Sequence, residues 1–204
     1  MMHIKKLLIY FLILIPFIVF SQKYETAKMI RWDENRPLTW NDFKGPVNKR
    51  SSFYASTCAG IYLKIEHSTD GDITVLAETF FDPAKSWYVK KYADEKLLEH
   101  EQRHFDIKEI YARRFIKRVL DADLASERKP VDKIQKIYRQ TLDEMNDFDD
   151  RYDRETKHSV NKEQQTAWNH EIERLLEETR AYERKEISLF IDVQRHRHSG
   201  HDPG

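Results

Sequence analysis

Within this chain the residues best suited by type and spacing to do chemistry are His100-Glu101-Gln102-Arg103-His104, an H-E-x-x-H pentapeptide. It lies in a segment without Gly or Pro that reads as helix. Residues four apart on a helix stand one turn above each other, so both imidazoles can reach a single metal ion from one face. Neutral imidazole is a good zinc ligand, and a carboxylate beside the first ligand can take a proton from water polarised by the metal. That is metallohydrolase chemistry. The competing reading is a pair of satisfied core histidines, because nine His and many Glu make a chance match feasible. With Leu97 at the origin of a helical wheel, His100, Glu101 and His104 fall within about 100° of one another, beside Leu97, Tyr111, Phe115 and Val119. Two inward histidines need partners, and a metal supplies them. Asp106 lies about 180° away and reads as helix surface.

A hydrolytic zinc takes three protein ligands and keeps a fourth position for water. A metzincin would need Gly at position 107 and His at position 110, where Ile107 and Ile110 stand. A thermolysin-like site would take Glu144 from the next helix, although Glu144 lies off that helix's apolar stripe. His158 is the better third ligand, because a loop can turn its side chain toward the first helix. The histidines of the tail, His196, His198 and His201, have no flanking order and read as a weakly chelating end. Cys58 is the only cysteine and reads as a buried structural thiol.

The elements that must hold these residues follow from the punctuation. Gly45, Gly60, Gly71 and most prolines precede residue 84, whereas Ala84 to Arg195 contains only Pro130. The first half is therefore turn-rich and the second helical. Segments 52–66 and 73–81 carry β-branched and aromatic residues around a His-Ser-Thr-Asp-Gly-Asp turn, predicting a hairpin in a small antiparallel sheet with a strand over 29–32. Three helices should follow. The first runs from about Ala93 to Asp121. The second begins near Pro130, with Ile134, Tyr138, Thr141, Met145, Phe148 and Tyr152 as its stripe. The third starts from an N-cap at Asn161 with Gln164 three residues on, and carries Trp168, Ile172, Leu175, Thr179 and Tyr182. The fold class is α+β, a small antiparallel β-hairpin sheet followed by three long α-helices, zincin-like.

Met-Met-His-Ile-Lys-Lys followed by the uncharged run 7–20 and Ser21 predicts a signal peptide over 1–21, since spanning a bilayer takes about 20 apolar residues. The rival is an uncleaved anchor. Residues 22–195 should form a single domain and 196–204 a disordered polar tail. A lone cysteine suits export in bacteria, periplasmic or extracellular. The 35 basic and 35 acidic residues give zero net charge, so no field gathers phosphates and nucleic acid is not the expected partner. No stable membrane span is expected after cleavage, and the sequence fixes no oligomeric state.

Several separated motifs carry a resemblance. Leu98-Glu-His-Glu-Gln-Arg-His-Phe-Asp-Ile107, then Tyr111-Ala-Arg-Arg, Tyr152-Asp153-x-x-Thr156-x-His158 and Gln165-x-x-Trp168-Asn169 resemble the DUF922 family, bacterial proteins predicted to be secreted zinc-dependent proteases. Leu38-Thr-Trp40-Asn-Asp-Phe43 resembles that family's opening. Ser159 stands where the family pattern leads one to expect Gly. The resemblance implies Zn2+ held by His100, His104 and His158, with Glu101 as the general base acting on a peptide or protein substrate. Asp153 would orient His158 through its second ring nitrogen or, on the alternative reading, stand as a solvated loop carboxylate. Tyr152 would stabilise the oxyanion or, as its place on the stripe suggests, sit in the core. A cell-wall peptide amidase would look the same in sequence. The alternative class is a non-catalytic envelope binding or scaffold module that retains a structural metal site.

Overall fold

The computed structural model describes residues 29–68, 71–183 and 186–189. The expectations for the signal peptide and for the polar tail fall outside those residues. The strands are β1 (Ile30–Arg31), β2 (Ala55–Ser56), β3 (Ala59–His67), β4 (Ile73–Phe81), β5 (Trp87–Tyr88) and β6 (Glu186–Leu189). The helices are α1 (Glu95–Asp121), α2 (Pro130–Thr156) and α3 (Lys162–Glu178). The α+β class, the hairpin and the three long helices are as the sequence predicts.

β4 alternates strictly between buried and half-buried residues, the period of a strand with one face on a core. Ile73, Val75, Ala77, Thr79 and Phe81 form its inward face. β3 pairs with β4 antiparallel along its whole length, from Ala59 opposite Phe81 to His67 opposite Ile73. The other edge of β4 is shared: β1 pairs with Phe80 and Phe81, and β6 with Ile73 to Leu76. Gly71, at φ 94°, closes the hairpin in the left-handed region that a Cβ disfavours.

Three elements differ from the expectation. The first hairpin strand begins at Ala59, because residues 55–56 turn away to pair with β5 in a separate two-stranded ribbon. β6 is a strand within a stretch the sequence reads as helical. Four residues with a single buried side chain, Ile187, give too short a pattern to declare their period. α3 ends at Glu178, so Thr179 caps it and Tyr182 belongs to the 3-10 turn beyond.

α1 is the axis of the fold. Asp94 caps its start, accepting from the Leu97 N–H at 2.8 Å. It packs on the sheet, α2 and α3 at once, so Ile107, Ile110, Phe115, Ile116 and Val119 all enter the main core. A smaller cluster of Leu38, Phe43, Phe81 and Phe105 closes the end near the H-E-x-x-H. Being covered on several sides, α1 also buries Asp106, which corrects its assignment to the helix surface. Trp32 Nε1 donates to Asp106 Oδ1 at 2.9 Å from a segment the wheel does not contain, and Gln102 and Arg103 donate as well. Burial still pushes the Asp106 pKa up against these donors.

Candidate metal centre

Gln102 and Arg103, the two middle residues of the pentapeptide, anchor the helix. Gln102 Oε1 accepts from the Leu38 N–H at 2.7 Å, docking the chain's opening motif, whose Thr39 and Asp42 form a capping box. Arg103 donates to Asp106, Asn169 and Glu173. These contacts lock the register of α1 against α3.

His100 is 2 % exposed and its ring stacks on Tyr152, with centroids 4.7 Å apart. Its tautomer follows from a chain of hydrogen bonds. Arg103 Nε donates to Asn169 Oδ1, so that atom is an acceptor, and Gln165 Nε2 donates to it at 2.8 Å. Gln165 Nε2 also donates to the Tyr152 hydroxyl, which donates in turn to the His100 carbonyl. Gln165 Oε1 must therefore accept from His100 Nδ1, at 3.0 Å, which leaves Nε2 facing Asp153 Oδ1 at 3.1 Å. His104 is arranged in the same way: Nδ1 donates to Asp149 Oδ1 at 2.8 Å, and Asp149 Oδ2 accepts from Lys108 Nζ at 2.7 Å.

The two Nε2 atoms turn toward a common point. Each is 3.1 Å from Asp153 Oδ1, and so is Nδ1 of His158. A second turn of helix brings this about, because Asp149 and Asp153 are four apart on α2 and face the two histidines four apart on α1. His158 arrives by a sharp reversal. Lys157, His158 and Ser159 are all left-handed, at φ 50°, 52° and 71°. The Lys157 and His158 N–H groups both close onto the Asp153 carbonyl, and the Asn161 N–H onto that of Thr156. Non-glycine residues in this region cost about 1–2 kcal/mol each, and such strain concentrates at functional sites. Ser159 thus occupies the conformation for which glycine is suited. The His158 ring rests on Phe53, with centroids 4.2 Å apart, and its side chain is 42 % exposed.

Charge follows geometry. Burial opposes a charged His104 ring, but Asp149 and Asp153 outweigh it and push its pKa up to about 10. Burial also disfavours the charged carboxylates, yet the histidines and, for Asp149, Lys108 hold both below the usual range. Among the described residues His100, Asp153 and His158 offer ligand atoms all within 4.8 Å of one another, a set that one divalent ion such as zinc fits, while His104 stands outside that group with Nε2 3.1 Å from Asp153 Oδ1.

The centre opens into a cleft of about 380 Å³ walled by Phe53 to Thr57, Leu97, Lys157, His158 and Val160. Glu101 lines it too, one carboxylate oxygen held by the Thr57 hydroxyl at 2.7 Å. Glu144 does not reach the cleft; it pairs with Arg118 at 2.5 Å on the outer side of α2. Tyr152 is fully buried, and its hydroxyl is engaged by Gln165 and the His100 carbonyl, so it supports the ring rather than facing the cleft. Burial pushes its pKa up. Cys58, expected to be buried, is only half-buried just ahead of β3, and burial raises its thiol pKa.

Sequence reasoning missed Asp149, Gln165 and Thr57. The spacing of Asp149 and Asp153 repeats that of the histidines, and Gln165 heads a motif already singled out. Thr57 carries no comparable signal.

Residues 81–159 match the sequence model of a family described as bacterial protein of unknown function, DUF922. The match runs from the end of β4 to Ser159 and so takes in α1, α2 and His158. No curated protein and no solved structure matches the chain.

Proposed function

We propose that this protein is an exported zinc-dependent metallohydrolase, a zincin-like protease acting on peptide bonds. The observation that carries the reading is the orientation of His100 beside Glu101. Nδ1 meets Gln165 Oε1, Nε2 turns inward to within 3.1 Å of Asp153 Oδ1, and the adjacent carboxylate lines the same cleft.

In this reading His100, His104 and His158 hold the ion. Bound zinc would polarise the scissile carbonyl and lower the pKa of water, as it does in hydrolytic sites generally. Glu101 would take a proton from water in the cleft and return it to the leaving amine. Thr57 holds one of its oxygens, so the carboxylate keeps its orientation through the transfer. Gln165 and Asp149 fix the imidazoles from behind, and Tyr152 braces His100. The ribbon segment ahead of β3 walls the cleft with the exposed rings of Phe53 and Tyr54. Such a wall suits an extended polypeptide better than a small polar molecule.

A non-catalytic envelope module would keep the histidines but leave Glu101 without a proton to move. Incubating the protein with a denatured protein substrate separates the two. Hydrolysis that stops with a chelator and returns with zinc supports the enzyme; none at any zinc concentration refutes it. Export rests on the short apolar run 7–20 and Lys5-Lys6. Among the described residues no helix is long and apolar enough to cross a membrane. An N-terminus near Gln22 on protein recovered from the envelope or medium is the expected outcome, and an intact Met1 on membrane-bound protein contradicts it.

A further inference from the structure

We infer that Asp153 is itself a metal ligand, so that the centre is a three-histidine, one-carboxylate site and not a three-histidine site with an orienting aspartate. The inference rests on the metal-binding reading above and assigns a role to Asp153 that the reading does not need.

Distance is the first argument. Asp153 Oδ1 stands 3.1 Å from each of three ring nitrogens, His100 Nε2, His104 Nε2 and His158 Nδ1. Atoms bound about 2.0–2.1 Å from one tetrahedral zinc stand about 3.3–3.4 Å from each other. The three contacts of Asp153 are close to that spacing, and the ligand atoms of His100, Asp153 and His158 all lie within 4.8 Å of one another. An orienting carboxylate instead contacts the nitrogen on the far side of the ring, where Asp149 meets His104 Nδ1 and Gln165 meets His100 Nδ1. On His100 and His104 Asp153 contacts the opposite nitrogen, the one left for a metal.

Placement is the second. The far nitrogens of His100 and His104 are taken by Gln165 and Asp149, so the nitrogens that face Asp153 are the ones open to a ligand. Asp153 is also firmly built, on the last turns of α2, whereas His158 sits on the exposed reversal beyond it.

Four protein ligands fill a tetrahedron, and a closed set leaves no position for water unless the ion takes a fifth ligand or one protein ligand withdraws. His158 is the member able to withdraw, being the one on a loop.

The test uses cobalt(II) alone as the probe, with chelator competition for affinity and the visible absorption spectrum for coordination. Asp153→Ala and Asp153→Asn should each weaken cobalt binding more than 100-fold and change the band positions and intensities at saturating metal. An orienting residue would weaken binding by about 10–100-fold and leave the bands in place. Affinity within tenfold of the unsubstituted protein and a superimposable spectrum in both variants would overturn the assignment while leaving the hydrolase reading intact. Failure of the unsubstituted protein to bind cobalt or zinc at all would overturn both. Far-ultraviolet circular dichroism of the metal-free variants confirms that each is folded before it is scored.

Discussion

Replacing Asp149 by Asn probes the support of the candidate centre without touching an atom that would face a bound metal. Asp149 makes two charge-assisted bonds, to His104 Nδ1 at 2.8 Å and to Lys108 Nζ at 2.7 Å, and the Lys108 residue is only 7 % exposed. The amide still offers one oxygen to His104 but removes the charge that raises the ring's basicity. Loss of such a partner costs about 10–100-fold in metal affinity, or about 1.4–2.7 kcal/mol. A second cost falls on the fold. Removing one partner of a buried ion pair costs about 3–5 kcal/mol, and partial exposure of Asp149 points to the lower end. Urea unfolding in chelator reads the second cost and zinc competition reads the first. Lys108→Met/Asp149→Asn should recover most of the stability, because no buried charge is left unpaired, and none of the affinity. Affinity unchanged in Asp149→Asn, or restored in the double variant, would refute the argument that Asp149 acts through His104.

Ser159→Gly should stabilise the protein by about 0.5–1 kcal/mol, measured by urea unfolding, since φ 71° carries no penalty for glycine. His158→Ala should weaken zinc binding far more than Glu144→Ala, measured by competition, because Glu144 is taken up by Arg118 outside the cleft; the reverse order would make the site thermolysin-like. The metal-stripped protein should also depend on pH at both ends. The raised His104 pKa contributes stability that is full below about 6.5 and lost as pH rises toward about 10. The lowered Asp149 and Asp153 pKa values contribute stability present above about 4 and lost on acidification. Thermal unfolding in chelator from pH 3 to 10 should therefore be highest between about 5 and 7, and a flat profile would contradict the charge arrangement at the centre.

What could be read before folding was whatever local pattern alone determines. The alternation of 73–81, the Gly-free run around His100, Pro130 at a helix start and Asn161 at an N-cap each act within a few residues, and each appears where the pattern puts it. What could not be read depended on partners distant in sequence. Asp106 lies opposite the histidines on α1, yet Trp32, 74 residues away, covers that side and hydrogen-bonds it. β6 exists because β4 has an open edge at Ile73 to Leu76, a fact about the sheet rather than about Glu-Ile-Ser-Leu. The centre divides along the same line. His100, Glu101 and His104 announce themselves by spacing within one helix turn, and His158 by its motif. The groups behind the rings, Asp149 and Gln165, are ordinary polar residues until α2 and α3 are laid against α1. Ser159 is the instructive case, because the glycine pattern it departs from marks a left-handed backbone that the serine adopts regardless.

The central claim is that the H-E-x-x-H residues form one metal-dependent site in which the histidines bind and Glu101 works. Zinc content and peptide hydrolysis measured side by side test it most directly, on the unsubstituted protein, Glu101→Gln and His100→Ala/His104→Ala. About one zinc per chain with hydrolysis, one zinc without hydrolysis, and neither zinc nor hydrolysis are the three results predicted, in that order. Full zinc occupancy in the double-histidine variant, or undiminished hydrolysis in Glu101→Gln, would contradict it.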